Sequence, residues 1–216
     1  MPYTAKPEDI AYGKSDVTLV DRSNSNPMDL LEALKAVYAG HGKDKSGYPM
    51  FPSAVVRIPV NKELAVKRGL VTAADTARLV DDIVIDLQAS PAMQSRGYIS
   101  LSELLMLDII ATNAANGWQR PIYWCSTVGN DYYMGLDPYM RSTGMTLQLV
   151  PTMQEGMPAR ADRAYDVITK KYRWGGADVK PGQKAPYFDE TAGRMLASVR
   201  TSMLDLVTEC LAEGDA

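Results

Sequence analysis

The 216 residues carry 23 lysines and arginines against 26 aspartates and glutamates, a formal net charge of −3. No basic stripe stands out to neutralise phosphates, so nucleic acid is excluded as a partner. With 46% hydrophobic and 23% charged residues, the composition is that of a globular protein with one good-sized core, or a core plus an appendage. Two cysteines, Cys125 and Cys210, are too few for a disulfide scaffold. Both occupy apolar stretches and are expected as buried thiols. The first residues, MPYTAKPEDIAYG, lack a basic start and an apolar core. The chain is therefore either a cytoplasmic protein or a piece of something larger.

Residues 1–15 read as loop, broken by Pro2, Pro7 and Gly13. Asp16 to Val20 reads as a strand. Asn26-Pro27 starts a helix, with Asn as cap and Pro in the first turn, and Gly40 closes it. The loop from His41 to Ser53 carries Tyr48 and Phe51, which cover the core edge or face a partner. Ala54 to Val60 is extended, with Pro59 favouring an edge position. Asn61 caps a short helix ending at Gly69, and Thr72 with Asp75 resembles a capping box before a helix over 73–80. Ile83 to Leu87 reads as a buried strand and Ser90 to Gly97 as loop.

The chain is organised around Ser100 to Cys125. Ser100 and Glu103 form a capping box, and apolar residues then surround the helix almost completely. Such a helix lies inside a domain or a membrane. Asp108, Thr112 and Asn113 exclude the membrane. Gly117 ends the helix, Pro121 prevents its resumption, and Ile122 to Cys125 is a short buried strand. Further on, Asp137 to Thr143 reads as a short helix, Met145 to Val150 as a strand, and Ala161 to Trp174 as a helix stopped by Gly175-Gly176. Ala192, Met195, Leu196, Val199, Met203, Leu206, Val207 and Cys210 then repeat at helical spacing. Asp189 or Thr191 caps this last helix and Gly214 ends it. Strands alternate with helices throughout. The expected class is α/β, a mixed or mostly parallel sheet flanked by helices, with a long C-terminal amphipathic helix. The expected division is a domain over 1–188, with a helix over 189–216 that packs on it or leads into a following helical region.

Candidate chemistry is sparse. Asp108 is an acid in an apolar helix and needs a partner. Arg120 is placed to reach back to it, either as a structural ion pair or at a site. His41 is the only histidine and has no ligand pattern beside it, so no metal site is expected. Ser126 follows a strand without a G-x-S-x-G elbow, and neither phosphate-loop pattern occurs, so no cofactor is expected. Trp118, Tyr123, Trp124, Tyr132, Tyr133 and Tyr139 are core residues or a platform for a sugar or peptide. No catalytic set emerges. The candidate ligand-binding residues are Asp108, Arg120, Trp124, Ser126, Tyr132 and Tyr133.

Four blocks carry a family likeness: LLMLDIIATNAANGWQRPIYW, GLDPYMRSTGMTLQLVP, YDVITKKYRWGG and YFDETAGRMLASVRTSMLDLVTECLAEGD. Pro2-Tyr3-Thr4 and the segment Ile58 to Glu63 fit the same series. Together they resemble the soluble region of a bacterial family of polytopic membrane proteins, itself similar to protein O-mannosyltransferases of the GT-C type. Ser142-Thr143 depart from the family, which has an acidic residue before the glycine. The resemblance implies an extracytoplasmic domain of a membrane-anchored protein at the bacterial inner membrane, with catalysis in the transmembrane part. Its partners would be that part and an acceptor protein. No family catalytic residue maps onto this chain. Two alternatives stand beside it: a small-ligand or enzymatic α/β domain with a site near Asp108, Arg120 and Ser126, or a protein-interaction module using the Tyr48–Phe51 loop.

Overall fold

The computed structural model describes residues 17–156, 158–184 and 186–214. The expectations for residues 1–16, including the Pro2-Tyr3-Thr4 block and the first residue of the opening strand, lie outside the described residues. The chain divides into two units, 1–122 with 128–139 and 149–153, and 123–127 with 140–148 and 154–216.

Among the described residues, the first unit holds two small mixed sheets and four helices. In one sheet β1 (Val17–Val20) lies between β3 (Met50–Phe51), parallel to it, and β6 (Tyr98–Ser100), antiparallel. In the other, β4 (Val55–Pro59) lies between β2 (Met28–Asp29), parallel, and β5 (Asp82–Asp86), antiparallel. The α/β class with mixed sheets is as expected, but the strands form separate three-stranded sheets. Strands β4 and β5 alternate buried and exposed residues. They are therefore covered on one face only, and the strand expected to be buried exposes Val84.

Helix α1 (Leu30–Tyr38) starts later than Asn26-Pro27 suggests. Met28 and Asp29 pair with Val56 and Arg57, which holds them extended. Asp29 then takes over the cap, its Oδ1 accepting from the amides of Leu31 at 2.9 Å and Glu32 at 3.2 Å. Asn61 caps α2 (Lys62–Lys67), its Oδ1 accepting from Leu64. Thr72 and Asp75 do bond to each other, but they lead into a 3-10 turn (Ala74–Arg78) rather than a helix. Helix α3 (Pro91–Arg96) replaces the loop expected there. Its signal was present: Ser90-Pro91 opens it as Pro does at a first turn, and Gly97 closes it at φ 78.

Helix α4 (Leu101–Ala115) carries the complete Ser100–Glu103 capping box. Leu107 and Ile110 on this helix, with Leu30, Leu34, Phe51, Ile83, Ile85 and Ile99, are fully buried. The core of the unit thus lies between α1, α4 and the inner faces of the sheets. Phe51 is enclosed in it, whereas Tyr48, three residues earlier, is 48% exposed.

The second unit is built on β7 (Tyr123–Cys125), β9 (Thr146–Leu149) and β8 (Met140–Ser142), in that order across the sheet. The helix expected over 137–143 is a single 3-10 turn (Asp137–Tyr139) running straight into β8. Backbone bonds explain the change: Ser142 donates to Pro158 at 3.0 Å, and Arg160 donates to Ser142 at 2.7 Å. These hold the segment extended. Gly144 turns β8 into β9 at φ 100, with the Tyr172 hydroxyl 3.0 Å from where a Cβ would sit. The helix expected over 161–174 is α5 (Ala161–Asp166) followed by a π turn (Val167–Lys171). Tyr172 is extended and gives its ring to the cluster of Ala164, Ile168 and Leu206. Helix α6 (Glu190–Glu213) is capped by Asp189, whose carboxylate accepts from Ala192 at 2.7 Å, and ends at Gly214, φ 80. Among the described residues no helix is long and apolar enough to cross a membrane.

Candidate functional site

Asp108 sits in the middle of α4 with no solvent exposure. Its Oδ1 accepts from the Thr112 hydroxyl at 3.0 Å, one turn along, and its Oδ2 from the Tyr38 hydroxyl at 3.4 Å, from α1. Such an acid ties two helices together through buried hydrogen bonds. The expected pairing with Arg120 does not form: Arg120 is exposed. The reason lies in the turn. Gly117 and Trp118 both adopt left-handed backbone, φ 73 and 54. This rotates Trp118 inward, to 2% exposure, and carries Arg120 outward.

Asn113 fastens that turn. Its Nδ2 donates to the Arg120 carbonyl at 2.6 Å, its Oδ1 accepts from the Arg120 amide at 3.2 Å, and its own carbonyl accepts from Trp118 at 2.8 Å. A left-handed tryptophan is strained and persists only where its surroundings hold it. Asn113→Ala is therefore expected to lower stability by about 1–2 kcal/mol, through loss of two partly buried hydrogen bonds to the Arg120 backbone. Urea unfolding curves read this directly, and an unchanged midpoint would mean the turn is held by Trp118 packing alone.

Tyr132 and Tyr133, on the 3-10 turn after Gly129 and its cap, have opposite environments. Tyr132 is 50% exposed, whereas Tyr133 is buried and donates its hydroxyl to the Val128 carbonyl at 3.1 Å. Burial, reinforced by the nearby Asp137 carboxylate, pushes the Tyr133 phenol above its ordinary value. A cleft of about 720 Å³ opens in the same unit between the start of α1, the end of β4 and the last turn of α4. Leu30, Ile58, Pro59, Leu64 and Ala114 make it largely apolar, and none of the candidate residues lines it.

In the second unit, Trp124 is buried while Cys125 and Ser126 are exposed. The three-residue strand β7 alternates faces, so Trp124 points to the core and Cys125 does not, contrary to the buried thiol expected. The Thr127 hydroxyl donates to Cys125 Sγ at 3.2 Å and, with the amides of Thr127 and Ser126, draws the thiol below its ordinary value. Both cysteines are free, and Cys210 is half-buried. Arg160 clamps Asp162 with bonds of 3.2 and 2.7 Å. Burial alone would raise this carboxyl, but the Arg160 bonds and charge outweigh it and hold it below its ordinary value. Arg160 and Arg163 both donate to the Gln148 side-chain amide oxygen Oε1, and Arg163 also to the Tyr123 hydroxyl at 2.8 Å.

The two units therefore divide the candidates: Asp108, Arg120, Tyr132 and Tyr133 belong to the first, Trp124 and Ser126 to the second. Asp108 is committed to Tyr38 and Thr112, and Tyr133 to a backbone carbonyl. Among the described residues no group of three His, Cys, Asp or Glu side chains is placed to hold a metal. Sequence reasoning missed a cleft in the second unit, where Ser126 meets a run of hydroxyls on α6. The signal was S-x-x-T-S-x-x-D-x-x-T-E from Ser198 to Glu209, polar at helical spacing opposite the apolar stripe.

No curated protein and no solved structure matches the chain. The model of the family described as TMEM260-associated domain 2 matches residues 1–167. The match takes in the RPIYW and LQLVP blocks and stops at the junction of α5 with the π turn, before α6. It spans more than three quarters of the 216 residues, and the chain accordingly belongs to the TMEM260-associated domain 2 family.

Proposed function

We propose that this chain is the accessory, non-catalytic domain of a protein O-mannosyltransferase-like membrane protein. On this reading it stands on the extracytoplasmic face of a bacterial inner membrane. There it steadies the transmembrane part of the same polypeptide or helps present an acceptor protein, and sugar transfer belongs to the transmembrane part. The observation that carries the reading is the family match over residues 1–167. The candidate polar residues add support. Asp108, the only fully buried one, serves as a bridge between α1 and α4, and Arg120 is exposed.

Deletion of this domain from the membrane-embedded parent, with parent level and acceptor glycosylation followed in cells, tests the reading. Acceptor glycosylation is expected to fall, with or without loss of the parent. Unchanged glycosylation at an unchanged level of parent would contradict the proposal.

A further inference from the structure

We propose that the polar cleft of the second unit is a binding site for a neutral saccharide. The cleft encloses about 540 Å³, within the range of small-molecule sites. It lies between one side of α6 and the β8–β9 turn, all inside the second unit.

Four hydroxyls of α6 form its wall, and each has its proton engaged. Ser198 donates to the Arg194 carbonyl, Thr201 to Ala197, Thr208 to Leu204, and Ser202 to Gly144 at 2.8 Å. A hydroxyl that has donated its proton still offers lone pairs. The carboxylates of Asp205 and Glu209 complete the wall, and they only accept. The wall is thus an array of acceptors, and its complement is a ligand rich in donors.

Two classes meet that need, a polyamine and a sugar, and the charges separate them. Glu209 stands 3.9 Å from the guanidinium of Arg141, whose side chain is 5% exposed. That positive charge offsets Glu209 and disfavours a second cation beside it. Leu147, Pro158 and Ala159 add apolar lining to the same cleft. A saccharide ring has the matching mixture, with C–H groups on its faces and O–H donors at its rim. A compact polyamine has no such face.

The site goes beyond the accessory role proposed above, and only the choice of a mannoside as first probe rests on that reading. The test is NMR titration of the isotope-labelled 216-residue chain with methyl α-mannoside, methyl α-glucoside and spermidine. Saturable shifts confined to the amides around Gly144 and from Ser198 to Glu209, with a dissociation constant of about 1–10 mM, are expected for at least one glycoside. The Thr201→Leu and Asp205→Ala variants change exposed positions. Each is expected to weaken that binding by about 10-fold, with thermal midpoints unchanged. Three results would overturn the proposal: no saturable shift up to about 100 mM glycoside, shifts mapping elsewhere, or saturation by spermidine alone. The deletion experiment reads the accessory role separately. Binding here with unchanged sugar transfer in the parent would remove that role and leave the site standing.

Discussion

Phe51→Ala is expected to lower the unfolding free energy by about 3–5 kcal/mol, the cost of emptying a large aromatic site in a close-packed core. Phe51 has no solvent exposure. Its strand is only two residues long and is held by pairing to β1, Val20 opposite Phe51. A ladder that short holds its strand weakly, so the side chain must fix the loop from His41 to Ser53 onto the core. Tyr48 provides the internal control. It lies in the same loop but is 48% exposed, and Tyr48→Ala is expected to change stability by no more than about 0.5 kcal/mol. Urea midpoints with unchanged slopes would confirm the contrast. Equal losses from both substitutions would mean that the loop acts as one cooperative cover rather than hanging on a single anchor.

Glu103→Gln is expected to lower stability by about 2–3 kcal/mol at neutral pH and to remove part of the acid sensitivity of the fold. Glu103 is 1% exposed. Its Oε2 accepts from the Ser100 amide at 2.8 Å and the Ser100 hydroxyl at 2.7 Å, and its Oε1 accepts from Arg96 at 2.7 Å. Burial by itself would raise this carboxyl, and it is the largest single influence. The Ser100 bonds and the Arg96 charge together outweigh it and hold the group below its ordinary value. A carboxyl depressed in the folded state stabilises fully above its unfolded value and loses that contribution as pH falls through the folded value. The wild type is therefore expected to weaken through the acid range in which the variant, lacking the titrating group, does not. Urea midpoints at about pH 7 and about pH 3 decide it. A gap between wild type and variant that stays the same size at both pH values would show that the capping geometry, and not the charge, supplies the stability.

Much of this architecture was written in local chemistry. Ser100 and Glu103 announced α4 because a capping box satisfies amides within one turn and needs no distant partner. Asn61, Asp189 and Gly214 marked helix ends for the same reason. The failures came where a distant strand overruled a local preference. Met28 and Asp29 read as the first turn of a helix until Val56 and Arg57 pair with them. Residues 140–142 likewise read as helical until Pro158 and Arg160 bond to Ser142.

The candidate site shows the same limit in another form. Spacing brought Arg120 within reach of Asp108, but two successive left-handed residues decide which way Arg120 faces. Sequence distance carries no such direction. Cys125 was read from its apolar neighbours, yet a strand alternates, and Trp124 took the inward position. On α6 the apolar repeat drew attention to one face. The hydroxyl face became meaningful only when the fold set it beside Gly144.

The central claim is that this domain serves a transferase whose reactive groups lie elsewhere in the polypeptide. The most direct measurement is sugar transfer by the purified membrane protein lacking these 216 residues, assayed on a short peptide acceptor and on a folded protein acceptor. Transfer to the short peptide should persist while transfer to the folded protein drops. Loss of transfer to both acceptors, from a membrane part that remains intact and correctly inserted, would place the chemistry in this domain and contradict the account.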